Sequence, residues 1–162
     1  MAWASGLHAA SISTLFNTGA DNRGVLLDSN QVDPHYTVTS SADPDFPGPD
    51  AFTLLPGFPV GPWIAEGPDS RWIAPQADQS SGNQPGVYTY KTAFDLAGLD
   101  PTSARITGQL ATDNGLAAVR LNGSDLAGIT SAGFTLFSSF SIPVGSPFVA
   151  RTNTLEFEHT GI

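Results

Sequence analysis

The sequence predicts an all-β protein, built as a single antiparallel β-sandwich of the jelly-roll type. Glycine and proline are abundant, with 17 and 13 residues among 162, and this leaves little room for long helices. Short segments alternate between polar and apolar residues, which is the side-chain period of a strand with one buried face. Turn-forming residues separate these segments roughly every ten residues, as in sandwiches and jelly rolls. At this length we expect one domain covering residues 1–162.

The first half of the chain predicts only short strands. Residues 11–16 (SISTLF) predict a first strand, and residues 35–40 (HYTVTS) predict a second because they alternate. Six prolines between residues 42 and 62 confine strands there to edge pieces such as 51–55, since proline cannot donate to a β-ladder. Residues 71–74 (RWIA) predict one further short strand.

The second half of the chain is more regular. Residues 87–96 alternate over their whole length, so we expect one face of this strand to lie on a core and the other to be wet. The residues predicted to point inward are Tyr88, Tyr90, Phe94 and Leu96. Further strands are expected at residues 105–112, 116–121, 134–142 and 152–158. In the last of these, alternation predicts that Leu155 and Phe157 point inward and that Glu156 and Glu158 point outward.

Two turns flank the strand predicted at residues 116–121. They are Asp113-Asn114-Gly115 and Asn122-Gly123, and they form readily because asparagine and glycine tolerate positive φ. Between the turns, alternation predicts that Ala117, Val119 and Leu121 point inward.

The charge balance narrows the range of partners. Twelve Asp and three Glu face one Lys and five Arg, giving a formal net charge of −9. Such a surface repels phosphate backbones, so we expect no nucleic acid partner, and anionic membrane surfaces are disfavoured for the same reason. No apolar run approaches the ~18 residues needed to span a bilayer. The absence of cysteine excludes disulfides, zinc–thiolate sites and thiol nucleophiles.

Five segments together resemble a family of secreted bacterial domains with the galactose-binding-like β-sandwich fold, often found in proteins with a PEP-CTERM sorting signal. The segments are LFNTG (15–19), VDPHYTV (32–38), GPDSRWIAPQAD (67–78), YTYKTAFDLAGLDP (88–101) and ATDNGLAAVRLNG (111–123). The most specific of them is the last, a strand between DNG and LNG turns. The resemblance covers nearly the whole chain and implies a jelly roll, an extracellular or cell-surface location and glycan binding.

The resemblance also raises the possibility of self-association. Members of that family usually continue into one more strand, whereas this sequence ends at His159-Thr160-Gly161-Ile162 without that strand or a sorting helix. We therefore expect an open sheet edge, whose unpaired backbone groups invite a strand from another chain and allow a homo-oligomer. A segment around residues 3–12 is a candidate donor. The start of the sequence shows no leader pattern, which fits either a trimmed leader or a leaderless protein.

One loop is a candidate calcium site. Hard oxygen ligands at short spacing suit Ca²⁺, which takes six to eight of them, and related jelly rolls often hold a structural calcium near their first strands. The spacing is not that of an EF-hand, and Asx-turns in a solvated loop are the alternative. The candidate ligands are Asp21, Asn22, Asp28, Asn30 and Asp33.

A second group of residues is a candidate ligand-binding site. Trp63 lies in a proline-rich loop, and an exposed indole ring stacks well on the apolar face of a sugar. Asp113 and Asn114 on their turn, with Arg120 and Asn122 on the outward face of the next strand, are candidates to bond sugar hydroxyls. Alternatively, the turn chemistry alone explains Asp113 and Asn114, and Arg120 and Asn122 are simply solvated.

Catalysis is not predicted. The three histidines are far apart, and nucleophile-elbow, zinc-protease, phosphate-loop and dinucleotide motifs are missing from the sequence. Glu66 and Asp69 are the one carboxylate pair in a plausible loop, and His35 is expected to be a buried, hydrogen-bonded histidine. We therefore predict a non-catalytic extracellular module that binds carbohydrate or another cell-surface component. The alternative is a structural surface protein that self-assembles into oligomers or filaments by strand exchange.

Overall fold

The computed structural model describes residues 10–161, and almost all the regular structure in this part of the chain is β. The fold is an all-β, sandwich-like arrangement with one short 3₁₀ turn at Pro101–Ser103. The strands are β1 (Val32–Ser40), β2 (Asp50–Thr53), β3 (Ile73–Ala74), β4 (Gly86–Asp95), β5 (Ile106–Leu110), β6 (Gly115–Leu121), β7 (Ser124–Asp125), β8 (Ser138–Ile142) and β9 (Thr152–Gly161).

The strands form two layers of unequal size. The larger layer is an antiparallel sheet of seven strands in the order β3-β2-β1-β4-β9-β6-β7, and the smaller layer is the pair β5-β8. The β4 and β9 strands are the longest and pair over ten residues, from Gly86 opposite Gly161 to Asp95 opposite Thr152. The turn at Asn114 (φ 64°) carries the chain from the small layer to the large one, and Asn122-Gly123 closes the β6–β7 hairpin, both with positive φ.

The outer face of the large sheet is polar. Lys91 Nζ lies 3.0 Å from Glu156 Oε1, and Arg120 pairs with Glu158 at 3.0 Å and with Asp125 at 2.8 Å. These pairs link neighbouring strands across the wet face, where exposed ion pairs contribute little each. The alternation predicted for β4 and β9 is thus confirmed, with the apolar side chains on the opposite, inner face.

At one end of the sandwich the two layers close on each other. The core there is made of apolar side chains from both layers, and Phe94, Leu121 and Leu155 of the large sheet are at most 2% exposed. Ile106 and Ile142 from β5 and β8 complete the contact, together with Val119, Leu96 and Phe148. We call this the closed end.

At the other end, the inner face of the large sheet has a different cover. A second cluster comprises Tyr36, Val38, Ala51, Tyr88 and Tyr90, and among the described residues no side chain of β5 or β8 belongs to it. Loops before β1 and between β2 and β4 line this part of the molecule instead. We call it the open end.

Three details of the predicted strands are wrong. Residues 11–16 are not a strand: Leu15 N donates to Ile12 O in a turn, which puts both side chains against the closed-end core at a spacing no strand allows. Ala117 is exposed, because a bulge between Leu116 and Ala118 makes it the extra residue of β6. The strand expected at 134–142 begins only at Ser138.

Two further predictions concern the proposed donor segment and the absence of a membrane span. Most of the proposed donor segment, residues 3–9, lies outside the described residues. Within residues 10–161, no helix has the length and apolar character needed to cross a bilayer.

Candidate functional site

A cleft of about 1180 Å³ opens between the two layers at the open end. This volume exceeds the 300–1,000 Å³ that is typical of ligand pockets. Its floor is the inner face of β1, β4 and β9, and its rim comes from the loops around Trp63 and Asn83 and from β5. We call it the interlayer cleft.

The cleft exists because seven strands are faced by only two. All five residues of β5 line it, whereas β8 contributes only Phe140, so the edge of β5 away from β8 borders the opening. Phe140 reaches across to Phe157 of β9 with ring centroids 6.2 Å apart. Gly108 makes room for that ring, since a Cβ there would lie 2.8 Å from it. This contact lies at the boundary between the closed end and the interlayer cleft.

One wall of the cleft is aromatic. Trp63 meets the edge of Trp72 at 5.0 Å between centroids and stacks on Phe134 at 5.1 Å. A backbone hydrogen bond from Ile64 N to Phe134 O joins the two loops that carry these rings, and the side-chain Nε1 of Trp72 donates to Ile64 O. Trp63 is half-buried, so part of the ring remains accessible on a supported wall.

The other end of the cleft is polar. The imidazole of His159 lies beside the rings of Tyr88 and Tyr90, 5.7 Å from each between centroids, and its Nδ1 is 3.3 Å from the backbone oxygen of Asp113. The Tyr88 hydroxyl donates to Gln84 O. Asp113 Oδ1 accepts from the Asn114 side chain at 3.1 Å. We call Tyr88, Tyr90, Asp113 and His159 the polar cluster.

Burial sets the protonation of the polar cluster. It lowers the pKa of His159, so the imidazole is neutral at pH 7. Burial likewise raises the pKa of Asp113 above its ordinary value. Burial, with smaller contributions from nearby charges, raises the pKa values of Tyr88 and Tyr90. The cluster therefore offers neutral donors and acceptors around one carboxylate.

The structure brings together three of the five predicted ligand residues. Trp63, Asp113 and Asn114 all line the interlayer cleft. Arg120 does not, since it points from the outer face into its two ion pairs. Asn122 is also elsewhere: its amide donates to Pro147 O and Asn153 Oδ1 and its oxygen accepts from Thr154 N, which makes it part of the β6–β7 turn structure.

Sequence reasoning missed the polar cluster as a site. It assigned Tyr88 and Tyr90 to the core, and they are buried, but both also line the cleft. It ended the last strand at residue 158, one residue before His159 of β9. Continuing the inward series Leu155, Phe157 by two residues would have found the histidine.

In the predicted calcium loop, the carboxylates of Asp21 and Asp33 already accept hydrogen bonds from other residues of the protein. Asp21 accepts from the backbone N–H groups of Arg23 and Val25 and pairs with the Arg23 side chain at 2.8 Å. The buried Asp33 accepts from three backbone N–H groups, those of Gly19, His35 and Tyr36.

The other three candidate ligands of that loop do not test the calcium site, which stays a prediction. Asn22, Asp28 and Asn30 are exposed, and Asn30 has a positive φ of 60°. Within residues 10–161, no three acidic or histidine side chains are grouped as metal ligands.

The residues considered for catalysis have structural contacts. Glu66 forms an ion pair with Arg71 and accepts from Trp72 N, while Asp69 is exposed. His35 is half-buried and its ring stacks on Phe16 at 3.8 Å. The prediction of a hydrogen-bonded histidine fails for the ring, because Nε2 is buried without a partner among the described residues.

Comparisons with protein-family models, with curated proteins and with solved structures found no match for this chain. The resemblance to galactose-binding-like domains therefore stays a prediction.

Proposed function

We propose that this protein is a non-catalytic binding module whose interlayer cleft holds a carbohydrate, free or as part of a cell-surface component. The observation that carries the proposal is the cleft itself, a large opening with an aromatic wall and a polar end. Binding sites for small ligands combine these two features, since apolar contact supplies affinity and a few polar groups fix orientation.

The two parts of the cleft have complementary roles in this proposal. Trp63, supported by Trp72 and Phe134, stacks on the C–H face of a sugar ring, because aromatic rings bury apolar area at little entropic cost. Asp113 accepts hydrogen bonds from the hydroxyl groups of the sugar. Its neighbours in the polar cluster donate hydrogen bonds to these hydroxyl groups or accept hydrogen bonds from them. An extracellular or cell-surface location fits this role and the lysine-poor, acidic composition.

An array of immobilised oligosaccharides, followed by calorimetry on the hits, tests the proposal. Trp63→Ala should weaken binding by about fivefold or more, because it removes a stacking ring. Trp63→Met keeps apolar volume without the ring and serves if the alanine variant misfolds. The matched control is Arg120→Gln on the outer face, which should leave affinity unchanged. Absence of binding to any oligosaccharide at millimolar concentration would refute carbohydrate binding.

A second candidate function is self-assembly by strand exchange, and one observation favours it. In the described part of the chain β5 pairs only with β8, and its other edge borders the interlayer cleft. Such an edge presents unpaired backbone N–H and C=O groups that another strand can bond. A strand added there would extend the small layer over the cleft.

Oligomeric state distinguishes this candidate from ligand binding. Sedimentation over a wide concentration range, with negative-stain microscopy for filaments, should show oligomers that Gln109→Lys on the β5 edge disperses. Ala93→Lys is the control, because it adds the same charge at an exposed position of β4, a strand that is paired on both sides. A monomer at every concentration would exclude strand exchange.

A structural calcium ion in the loop of Asp21 to Asp33 is a separate proposal. It rests on the exposed side chains of Asn22, Asp28 and Asn30. Bound calcium would raise the melting temperature in excess Ca²⁺ relative to EDTA, and Asp28→Asn should reduce the difference. Equal melting temperatures would count against a tightly held ion.

A further inference from the structure

We propose that the polar cluster binds the ammonium group of an amino sugar, with Asp113 as its counter-ion. This inference rests on the proposed carbohydrate-binding function and names the class of sugar. Three features of the cleft support it: an unpaired carboxylate, an aromatic surface beside it, and a negative charge balance.

Among residues 10–161, the carboxylate of Asp113 has no cationic partner. It is half-buried, and the ion pairs found among residues 10–161 involve other acidic groups. One of its oxygens accepts from Asn114. Because a partly desolvated carboxylate is costly unless paired, a ligand that brings a positive charge gains more here than a neutral one.

The second oxygen of Asp113 lies near an aromatic ring. A Cβ built on Gly161 would lie 3.7 Å from Asp113 Oδ2 and 3.4 Å from the ring of Tyr88. The carboxylate oxygen and the ring are therefore both close to one point beside Gly161, and all three residues line the cleft. An ammonium group that approaches from the cleft and donates a charge-assisted hydrogen bond to Oδ2 would also lie near a ring that attracts cations.

The polar cluster also supplies an unused hydroxyl. Tyr90 is 9% exposed and lines the cleft, and its hydroxyl makes no side-chain hydrogen bond within the described region, whereas those of Tyr36 and Tyr88 do. A tyrosine hydroxyl that makes no side-chain hydrogen bond to the protein can both donate to and accept from a ligand. It is available to a sugar hydroxyl next to the amine.

The charged groups that face the cleft favour a cation over an anion. Glu66 and Arg71 neutralise each other, the imidazole of His159 is neutral, and both tyrosines are protonated. Asp113 and the exposed Asp69 at the rim are left. With a net charge of −9 on the whole chain, acidic sugars are repelled and cationic ligands are attracted.

A free amine carries the same ammonium group, so the test separates the two sources. Calorimetry compares fully deacetylated glucosamine oligomers, fully N-acetylated oligomers of equal length, and spermidine. We expect the protein to prefer the deacetylated oligomer by about tenfold, and Asp113→Asn to remove that preference, because hydrogen bonds to charged groups are worth more than neutral ones. The N-acetylated oligomer should lose much less affinity for the variant than the deacetylated oligomer does, because only a neutral hydrogen bond changes.

The control is Asp45→Asn, which removes one negative charge at an exposed position outside the cleft and should keep the preference. Circular dichroism and melting temperature verify folding of both variants. Equal binding of the two oligomers, or a preference that survives in Asp113→Asn, overturns the inference and leaves the carbohydrate-binding proposal standing. Spermidine binding as tight as that of the glucosamine oligomer overturns it as well. Failure of both oligomers to bind refutes the inference, and the array result then decides the proposed function.

Discussion

The closed and open ends of the sandwich share the same large sheet but differ in what covers it. At the closed end β5 and β8 bury the inner face in a continuous apolar core. At the open end the same strands β4 and β9 face a cleft of about 1180 Å³. The hydrogen-bonded register of β4 and β9 is continuous through both ends. The pairing of the strands alone therefore does not determine whether their inner face is buried in the core or lines a binding site.

The difference lies in which side chains point inward. Along β4 the inward series runs from Tyr88 and Tyr90 at the open end to Phe94 at the closed end. Along β9 it runs from His159 to Leu155. Tyrosine and histidine combine an apolar body with a polar tip, so they suit a surface that is partly wet. The closed end is not purely apolar, since Thr92 and Asn153 share this inward face and are buried, but the rings that carry a polar tip lie at the open end, where the layers separate.

The largest effect we expect comes from breaking the closed end. Phe94→Ala removes a side chain that is 2% exposed in the centre of that core, and should lower the free energy of unfolding by about 3–5 kcal/mol. Val87→Ala on the same strand is the control, because Val87 is 43% exposed and should change stability by about 0.5 kcal/mol or less. Urea denaturation measures both. Similar losses for the two variants would mean that the closed end is not the main core.

A smaller effect is expected at the boundary between the two ends. Gly108→Ala places a methyl group 2.8 Å from the Phe140 ring, so the ring or the backbone must shift, which disturbs the contact with Phe157. We expect a loss of about 1–3 kcal/mol, which is typical of overpacking. Gly67→Ala is the control, since its Cβ would meet nothing closer than 3.7 Å.

A double variant then examines the cause. Adding Phe140→Leu to Gly108→Ala removes the ring that the new methyl group meets, and part of the loss should be recovered relative to the sum of the single changes. Strict additivity would show that the glycine matters for its backbone and not for the aromatic contact between the layers.

These two regions also show how far the sequence predicts the molecule. Alternation and Asn-Gly turns correctly predicted the all-β fold, the inward face of β4, and positive φ at Asn114 and Asn122, because these depend on neighbours in sequence. The bulge at Ala117 and the turn near Leu15 were not predictable, since each is fixed by contacts with distant strands. The cleft was out of reach for the same reason: it depends on how many strands face the large sheet, and no local pattern encodes that number.

At the open end, acidification should destabilise the protein through His159. Burial lowers its pKa below that of the unfolded chain, so the unfolded state binds a proton first as the pH falls below about 6.5. Stability is therefore full above that range and declines as the pH falls through the pKa of the folded state. His159→Phe keeps the ring beside Tyr88 and should flatten this part of the pH–stability curve. An unchanged slope below pH 6.5 in the variant would assign the pH dependence to other groups.

The smallest expected effect has the opposite sign and links stability to the proposed site. Burial raises the pKa of Asp113 in the folded state, so the folded protein holds that proton more tightly than the unfolded chain. Stability then falls as the pH rises through the interval between the two pKa values, and the ionised carboxylate disfavours folding at neutral pH. Asp113→Asn keeps the oxygen that accepts from Asn114 and should raise the melting temperature slightly at pH 7, with no gain at pH 3. A carboxylate that is retained for a ligand should lower the stability of the protein while the site is empty. Its replacement should raise that stability and abolish the preference for a charged ligand. Destabilisation by Asp113→Asn at pH 7 would instead show that the carboxylate supports the turn.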